Sequence, residues 1–509
     1  MVGRLYLYSF AFAFLLLWIV VKWLPARRLH PFPPGPPPQF LIGNFSQLPE
    51  KHPWLTYTEW GRKYGDLVHA SALGQHIVIV NSVKTATELF DKRSHIYSDR
   101  PVITMVDLMD WTFNLGLMPL GDRWRAHRRM FQTHFRSDVS REYRPSQMKK
   151  VHQFLRGLLS SPEDFMEHIK TMAAATIMET IYGYEVQPTN DRFVAIAEKA
   201  VKKLSDSFFP GAVAVNTFPI LRHLPSWMPG AGFHRYAAEC RELTAEMQKV
   251  PFEFTKQNMN SGVDLTSVVA KLLAENQARG CPNDENVQQM AAAAYAAGAD
   301  STVSALGSFF LALTLHPECQ RKAQREIDAL ITERLPVFED RAALPYVEAL
   351  YREVMRWKPI VPLGLPHATS ADDVWNGYFI PKGATVISNI WAMTRDESVY
   401  SDPERFNPDR FFTPDGKLND DDTVLSFGFG RRICVGRYYA DAVMWLSFVC
   451  VLSLFNVDKA KDAAGNDIEI EPVYSDGLVS HPQPFVCSIP PRSETTKSLI
   501  QATAESREL

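Results

Sequence analysis

The stretch from Asp284 to Leu315 constrains this chain more than any other, because it is apolar nearly all round and yet carries Asp300 at its middle. A long helix without a polar face is either a membrane span or a rod through the centre of a large domain. The small and hydroxylated run Ala297-Gly298-Ala299-Asp300-Ser301-Thr302 favours the rod. Gly298 weakens a helix by about 1 kcal/mol, so its presence needs a local reason. A length of 509 residues suggests more than one domain. No linker interrupts the chain between Trp124 and Gly436, and no internal repeat is found, so one large, mainly α domain with small β-sheets is expected.

Further helices are expected over Asp122 to His134, Tyr346 to Trp357 and Tyr438 to Leu454, the second stopped by Pro359. An Asn376-Gly377 pair between apolar residues reads as a hairpin over 374–380, followed by a strand over 384–387. Another strand pair is expected near Leu67 to Val80. The net charge of −3 points away from nucleic acid. Six cysteines, Cys240, Cys281, Cys319, Cys434, Cys450 and Cys487, show no paired spacing, which suits a reducing compartment.

One of these cysteines stands in Ser426-Phe427-Gly428-Phe429-Gly430-Arg431-Arg432-Ile433-Cys434-Val435-Gly436. Three glycines allow a bend in which backbone approaches a flat cofactor around a single soft ligand. The pattern Phe427-x-x-Gly430-x-Arg432-x-Cys434-x-Gly436 satisfies every position of the signature of the cytochrome P450 superfamily, which the chain resembles. The resemblance implies haem b with Cys434 as axial thiolate, Phe427 packed beneath the haem, Arg432 on a propionate, and Gly430 and Gly436 shaping the loop. A thiolate ligand favours O–O cleavage, and backbone N–H groups after Cys434 are placed to support it.

Other motifs follow in the family's order. Glu353-Val354-Met355-Arg356 puts opposite charges at i, i+3, and Asp402-Pro403-Glu404-Arg405-Phe406 resembles the segment that supplies a second arginine. Glu353, Arg356 and Arg405 are therefore expected to form a structural Glu-Arg-Arg network. On the apolar helix the resemblance makes Asp300 the acid, and Ser301 and Thr302 the alcohols, of a proton path above a helix distorted to admit dioxygen. Ser301 stands where relatives usually have Thr, and without the methyl its χ1 is less restricted. Trp124 and Arg128, at i, i+4 on one helix face, match a W-x-x-x-R element whose side chains reach a propionate. The segment Pro359 to His367 fits a pocket-lining strand; His367 stands where many relatives have a propionate-binding Arg, and reads equally as a structural histidine.

Leu5 to Val21 is an uncharged apolar run followed by Lys22, Arg27 and Arg28 rather than a cleavage site. This implies an anchor over 1–24, with the bulk of the chain in the cytosol. A basic, proline-rich linker over 25–44 precedes the catalytic domain, 45–492, and a polar flexible tail, 493–509. Membrane-bound relatives share this layout, so a single-pass anchor in the endoplasmic reticulum membrane is expected, leaving the Asn44-Phe45-Ser46 sequon on the cytosolic side and unglycosylated. Arginines 123, 125, 128 and 129, with Arg431 and Arg437, suggest a basic docking face for an acidic NADPH-cytochrome reductase.

Apolar candidate pocket segments, among them Met105, Leu108, Met109, Trp111 and Phe113, suggest a hydrophobic small-molecule substrate. The run Leu221 to Phe233 resembles a fungal microsomal branch related to O-methylsterigmatocystin oxidoreductase. Many of its members serve secondary metabolism, so a terpenoid or aromatic polyketide substrate is the expectation. The resemblance makes the chain an O2- and reductase-dependent monooxygenase. A reductase-independent haem-thiolate isomerase or dehydratase, against which the Asp300-Ser301 pair argues, and a non-catalytic haem-binding membrane protein are the alternatives.

Overall fold

The computed structural model describes residues 29–208, 213–263, 266–280 and 283–504. The expected anchor and Cys281 lie outside these residues. Twelve helices of nine residues or more occur among the described residues. They are α1 (Pro53–Tyr64), α2 (Asp122–Phe135), α3 (Arg144–Ser160), α4 (Phe165–Tyr182), α5 (Arg192–Phe208), α6 (Phe233–Asn260), α7 (Val268–Ala278), α8 (Asp284–Leu315), α9 (Pro317–Leu330), α10 (Pro345–Trp357), α11 (Arg437–Leu454) and α12 (Glu494–Ala502).

Helix α8 is the rod that its sequence demands. Asn283 caps it by accepting a hydrogen bond from the Asn286 N–H at 3.4 Å, and Asp284 and Glu285 complement the positive end of its dipole. Both α8 and α11 are long and apolar enough to cross a bilayer, but 72% and 78% of their most apolar windows are buried inside the protein. They are therefore core helices. The heaviest packing in the molecule joins α8 to α4. Gly298 faces α4, where a Cβ would meet the Ile177 side chain at 3.4 Å, an ordinary contact, so packing there does not require glycine.

Two large apolar clusters share α8. Leu306, Phe309 and Leu313 pack with α3, α10 and α11, whereas Val287, Met290 and Ala294 pack with α4, α6 and α7. Met105, Met109, Trp111 and Phe113 belong to the second cluster and are buried. The apolar stripe expected to line a pocket is mainly core at these four positions.

The small sheets edge this helical body. β1 (Leu67–Ala72), β2 (Gln75–Val80), β3 (His367–Ala368) and β6 (Thr385–Ser388) form one sheet in the order β1-β2-β6-β3, with β2 and β6 parallel. β4 (Asp373–Trp375) and β5 (Tyr378–Ile380) are the expected hairpin, turned by Asn376 and Gly377 at φ 49° and 79°, the left-handed pair that a two-residue hairpin favours. β7 (Asp458–Lys459) pairs with β8 (Cys487–Ser488).

Three expectations change. Only His367 of the segment 359–367 enters a strand, since Gly364 turns the chain at φ 58°. The proline-rich segment does not stand free as a linker: Pro34 O accepts from His69 N–H at 2.9 Å, and Pro31 O from Phe379 N–H at 2.7 Å. The tail expected to be flexible forms α12 over 494–502, with Ile500 buried and Ser493 capping it through the Thr496 N–H. Asn44 of the sequon is buried and bonded to Pro36 O, Gln47 and Ser71 N–H, so its amide is already engaged.

Candidate active site

The Cys434 loop is held by its backbone. Cys434 N–H donates to Phe427 O at 2.8 Å, closing the bend opened by Gly428 and Gly430 at φ 83° and 55°. At Gly430 a Cβ would overlap the Phe90 carbonyl, so glycine is required twice over. Gly436 differs from that expectation: its φ of −86° is open to any residue, and it serves as the residue before α11. Phe427 packs against the large core cluster shared with α10 and α11. Cys434 is exposed to solvent by surface area, while protein atoms crowd its thiol closely. Desolvation pushes its thiol up, and the Gly436 N–H and the charges of Arg128 and Arg437 oppose that shift.

Above this loop the structure gathers cations that the sequence spread over more than 330 residues. Arg432 donates to the carbonyls of Ser98, Leu115 and Met118 at 2.8, 3.2 and 2.9 Å, and its guanidinium lies 4.5 Å from the Trp124 ring centroid. Arg128 donates to Ile433 O at 2.7 Å. Arg100, which sequence reasoning missed, donates to Gly116 O, Leu365 O and Pro366 O at 2.6, 2.8 and 2.7 Å. Desolvation lowers all three guanidiniums, Arg432 to about 10. Asp99 opposes the shift in Arg100 and Arg432, while the positive neighbours reinforce it. The buried Trp124 Nε1 has no protein hydrogen-bond partner.

Buried cations with too little counter-charge, beside an orphaned donor, fit an anionic ligand. They fit carboxylate groups such as the propionates that a haem would bring beside Cys434. His367 is buried against Phe90, with Nδ1 2.6 Å from Tyr97 O. Burial, and secondarily the Arg100 charge, hold it well below the ordinary imidazole range. It shares the cationic neighbourhood as a neutral group.

The bracing network forms with one substitution of partner. Glu353 and Arg356 are fully buried and joined by two bonds of 2.6 and 2.9 Å, and Asn407 N–H donates to Glu353 at 2.7 Å. The second arginine is Arg410, 3.3 Å from Glu353; Arg405 is exposed. Two Arg-Phe pairs, 405–406 and 410–411, stand in succession, and the turn at Pro408 aims the later one inward.

Helix α8 runs unbroken through the oxygen-side motif, contrary to the expected distortion. Ser301 Oγ donates to Ala297 O at 2.9 Å and Thr302 Oγ1 to Gly298 O at 2.8 Å. Thr302 is buried, whereas Ala297 to Ser301 are at least partly exposed on a helix otherwise sunk in the core. Asp300 lines a cavity of about 1390 Å³ with Ala296, Ala299, Val303, Phe208 and Leu363.

The described residues thus hold a glycine-shaped cysteine loop beside a cluster of guanidiniums, and an acid-bearing helix facing a large cavity. The cytochrome P450 family model matches residues 33–489. The chain belongs to the cytochrome P450 family. Among similar curated proteins, cytochrome P450 monooxygenase 208 of Postia placenta is 43% identical, with 97% of this chain and 96% of the relative covered. Cytochrome P450 monooxygenase ple1 of Rhodocybe pseudopiperita is 40% identical, with 96% of each covered. The chain is thus a haem-thiolate monooxygenase of the fungal P450 type.

Proposed function

We propose that this P450 inserts one oxygen atom from O2 into a hydrophobic small molecule of secondary metabolism, a terpenoid or an aromatic polyketide. The observation that carries the substrate class is the cavity. Its walls include Met166, Val194, Val201, Phe208, Val303 and Ile387, beside a charged stretch around Asp300 that carries Glu198 and Lys202. Its volume exceeds the roughly 300–1000 Å³ of common small-molecule pockets. Bound haem b supplies the oxygen-activating chemistry.

The protein's part is positional. Cys434 is the thiolate ligand, steadied by the Gly436 N–H; Arg100, Arg128, Arg432 and Trp124 hold the propionates; Gly430 admits the loop beside Phe90. Asp300 moves protons toward the Ser301 hydroxyl, which is the exposed member of the alcohol pair, with Thr302 buried behind it. The apolar part of the wall leaves the substrate to be held largely by shape.

An N-terminal anchor in the endoplasmic reticulum membrane is part of this reading. Exposed apolar side chains at Phe40, Leu41, Phe218, Ile220 and Trp227 support contact with lipid. Exposed Arg125, Arg129 and Arg431 support docking of an acidic NADPH-cytochrome reductase. The test is incubation of the reductase-coupled enzyme with terpenoid and polyketide panels. Product bearing one 18O atom from labelled O2, with matched NADPH consumption, is the expected result. Isomerised or dehydrated product without NADPH consumption would overturn it.

A further inference from the structure

The central helix carries one line of polar residues toward a single segment of chain. Asp300, Ser304 and Ser308 recur every four residues and so share a face. All three meet a single segment, 474–482, that crosses the helix like a strap. Ser304 Oγ donates to Ser480 O at 2.6 Å, Tyr474 OH donates to Ser308 Oγ at 2.9 Å, and His481 Nε2 lies 3.1 Å from Asp300 Oδ1. Gly307 lets the strap lie close, since a Cβ there would come within 2.9 Å of Pro482.

The strap is also rigid in itself. Ser475 N–H donates to His481 O at 2.8 Å, His481 N–H to Ser475 Oγ at 2.9 Å, and Ser480 N–H to Ile360 O at 2.8 Å. The imidazole is therefore aimed at the carboxylate by fixed backbone on both sides. Both side chains remain partly open, at 28% and 33% exposure, on the wall of the cavity. Glu167 and Lys170 on α4, Glu198, Lys202 and Asp206 on α5, and Asp476 on the strap line the same cavity.

A carboxylate that relays protons repeatedly needs a neighbour to reload it, and an imidazole within hydrogen-bonding distance, as His481 is at 3.1 Å, can donate to it from one ring nitrogen while the other exchanges with water. We propose that His481 is the positioning residue of Asp300: it holds the carboxylate at the cavity wall and reloads it with protons. This rests on the reading of Asp300 as the acid of the monooxygenase. In the step an Nε2–H bond of the imidazolium breaks and an O–H bond forms on Asp300; the neutral imidazole then regains a proton from solvent hydronium relayed through cavity water, which remains water, and Asp300 passes its own toward Ser301 and returns to the carboxylate.

The test uses the full chain with its reductase, in wild type and as His481→Gln, His481→Ala and Asp300→Asn. In protein labelled at histidine carbons, the imidazole resonance lost in His481→Gln is expected to move in Asp300→Asn, independent of turnover. With an alkoxycoumarin probe, peroxide released per NADPH consumed is expected to rise several-fold in Asp300→Asn and in both His481 variants, with KM little changed. Its dependence on pH between about 5 and 8 is expected to flatten in His481→Gln. If Asp300→Asn raises peroxide release and neither His481 variant does, the role of His481 is overturned and that of Asp300 stands. If Asp300→Asn has no effect, both fall. Wild-type coupling and pH profile in His481→Gln, which retains a hydrogen-bonding side chain and the strap, would overturn the reloading role.

Discussion

The two faces of the site are built in opposite ways. On the thiolate side, Cys434 is placed by residues within seven positions of it: a carbonyl at Phe427, two left-handed glycines and the N–H of Gly436. On the oxygen side, Asp300 is placed by a strap more than 170 residues along the chain, through single side-chain bonds. Local backbone geometry makes the first face a motif. Tertiary packing makes the second a contact, and contacts leave only a weak trace in sequence.

The largest effect is expected on the first face. Cys434→Ala should abolish the thiolate-type spectrum of the ferrous carbonyl complex, because no other described thiol reaches the loop, while the backbone bonds keep the fold. Replacing Cys240, Cys319, Cys450 or Cys487, each free and buried or half-buried elsewhere, should leave the spectrum intact. A thiolate spectrum retained in Cys434→Ala would break the comparison at its root.

Next in size is the brace beneath that face. Removing one member of a buried, hydrogen-bonded ion pair costs about 3–5 kcal/mol, so Glu353→Ala should lower the urea midpoint severely and impair haem incorporation. Arg410→Ala should act in the same direction with a smaller loss, and Arg405→Ala should change neither. Equal sensitivity at Arg405 and Arg410 would show that the exposed arginine also braces the fold.

The strap sharpens the contrast. Ser304→Ala removes the donor to a buried carbonyl, a loss of about 1–3 kcal/mol. It should raise peroxide release without altering the carbonyl spectrum. Coupling unchanged in a folded Ser304→Ala variant would mean that the strap need not be fixed to do its work.

A pH effect follows from the buried histidines. Desolvation holds His127, His134 and His367 below the ordinary imidazole range. As pH falls through about 6.5 the unfolded chain binds protons that the native state refuses, so stability declines toward acid until the native groups titrate. Urea midpoints measured from neutral to mildly acid pH should fall, with a shallower slope in His127→Gln.

The smallest effect belongs to the rim. Arg125 is partly occupied by Asp122 at 2.6 Å, while Arg129 is exposed. A double Arg→Glu change should slow reductase-driven turnover several-fold, most at low salt, and spare peroxide-driven turnover, since exposed charges act on association and are screened beyond about 8 Å. Equal loss in both assays would assign these residues to the fold.

The sequence by itself determined what depends on period and local geometry. The limits of α8, the Asn376-Gly377 hairpin, the Cys434 loop and the helical pairing of Trp124 with Arg128 were legible because each is encoded within a turn or a few helical steps. The family signature then made haem-thiolate chemistry the reading of Cys434. The tertiary structure decided which of two similar arginines meets Glu353, Arg410 over Arg405, since the chain turns toward that carboxylate from Asn407 onward, and it left Ser301 partly exposed while burying Thr302. It also decided what no spacing records, the convergence of Arg100 on Arg432 and of His481 on Asp300. Those pairs are joined across hundreds of residues by packing, and the energy of a side-chain contact depends on where folding brings its partners, not on how far apart they stand in the chain.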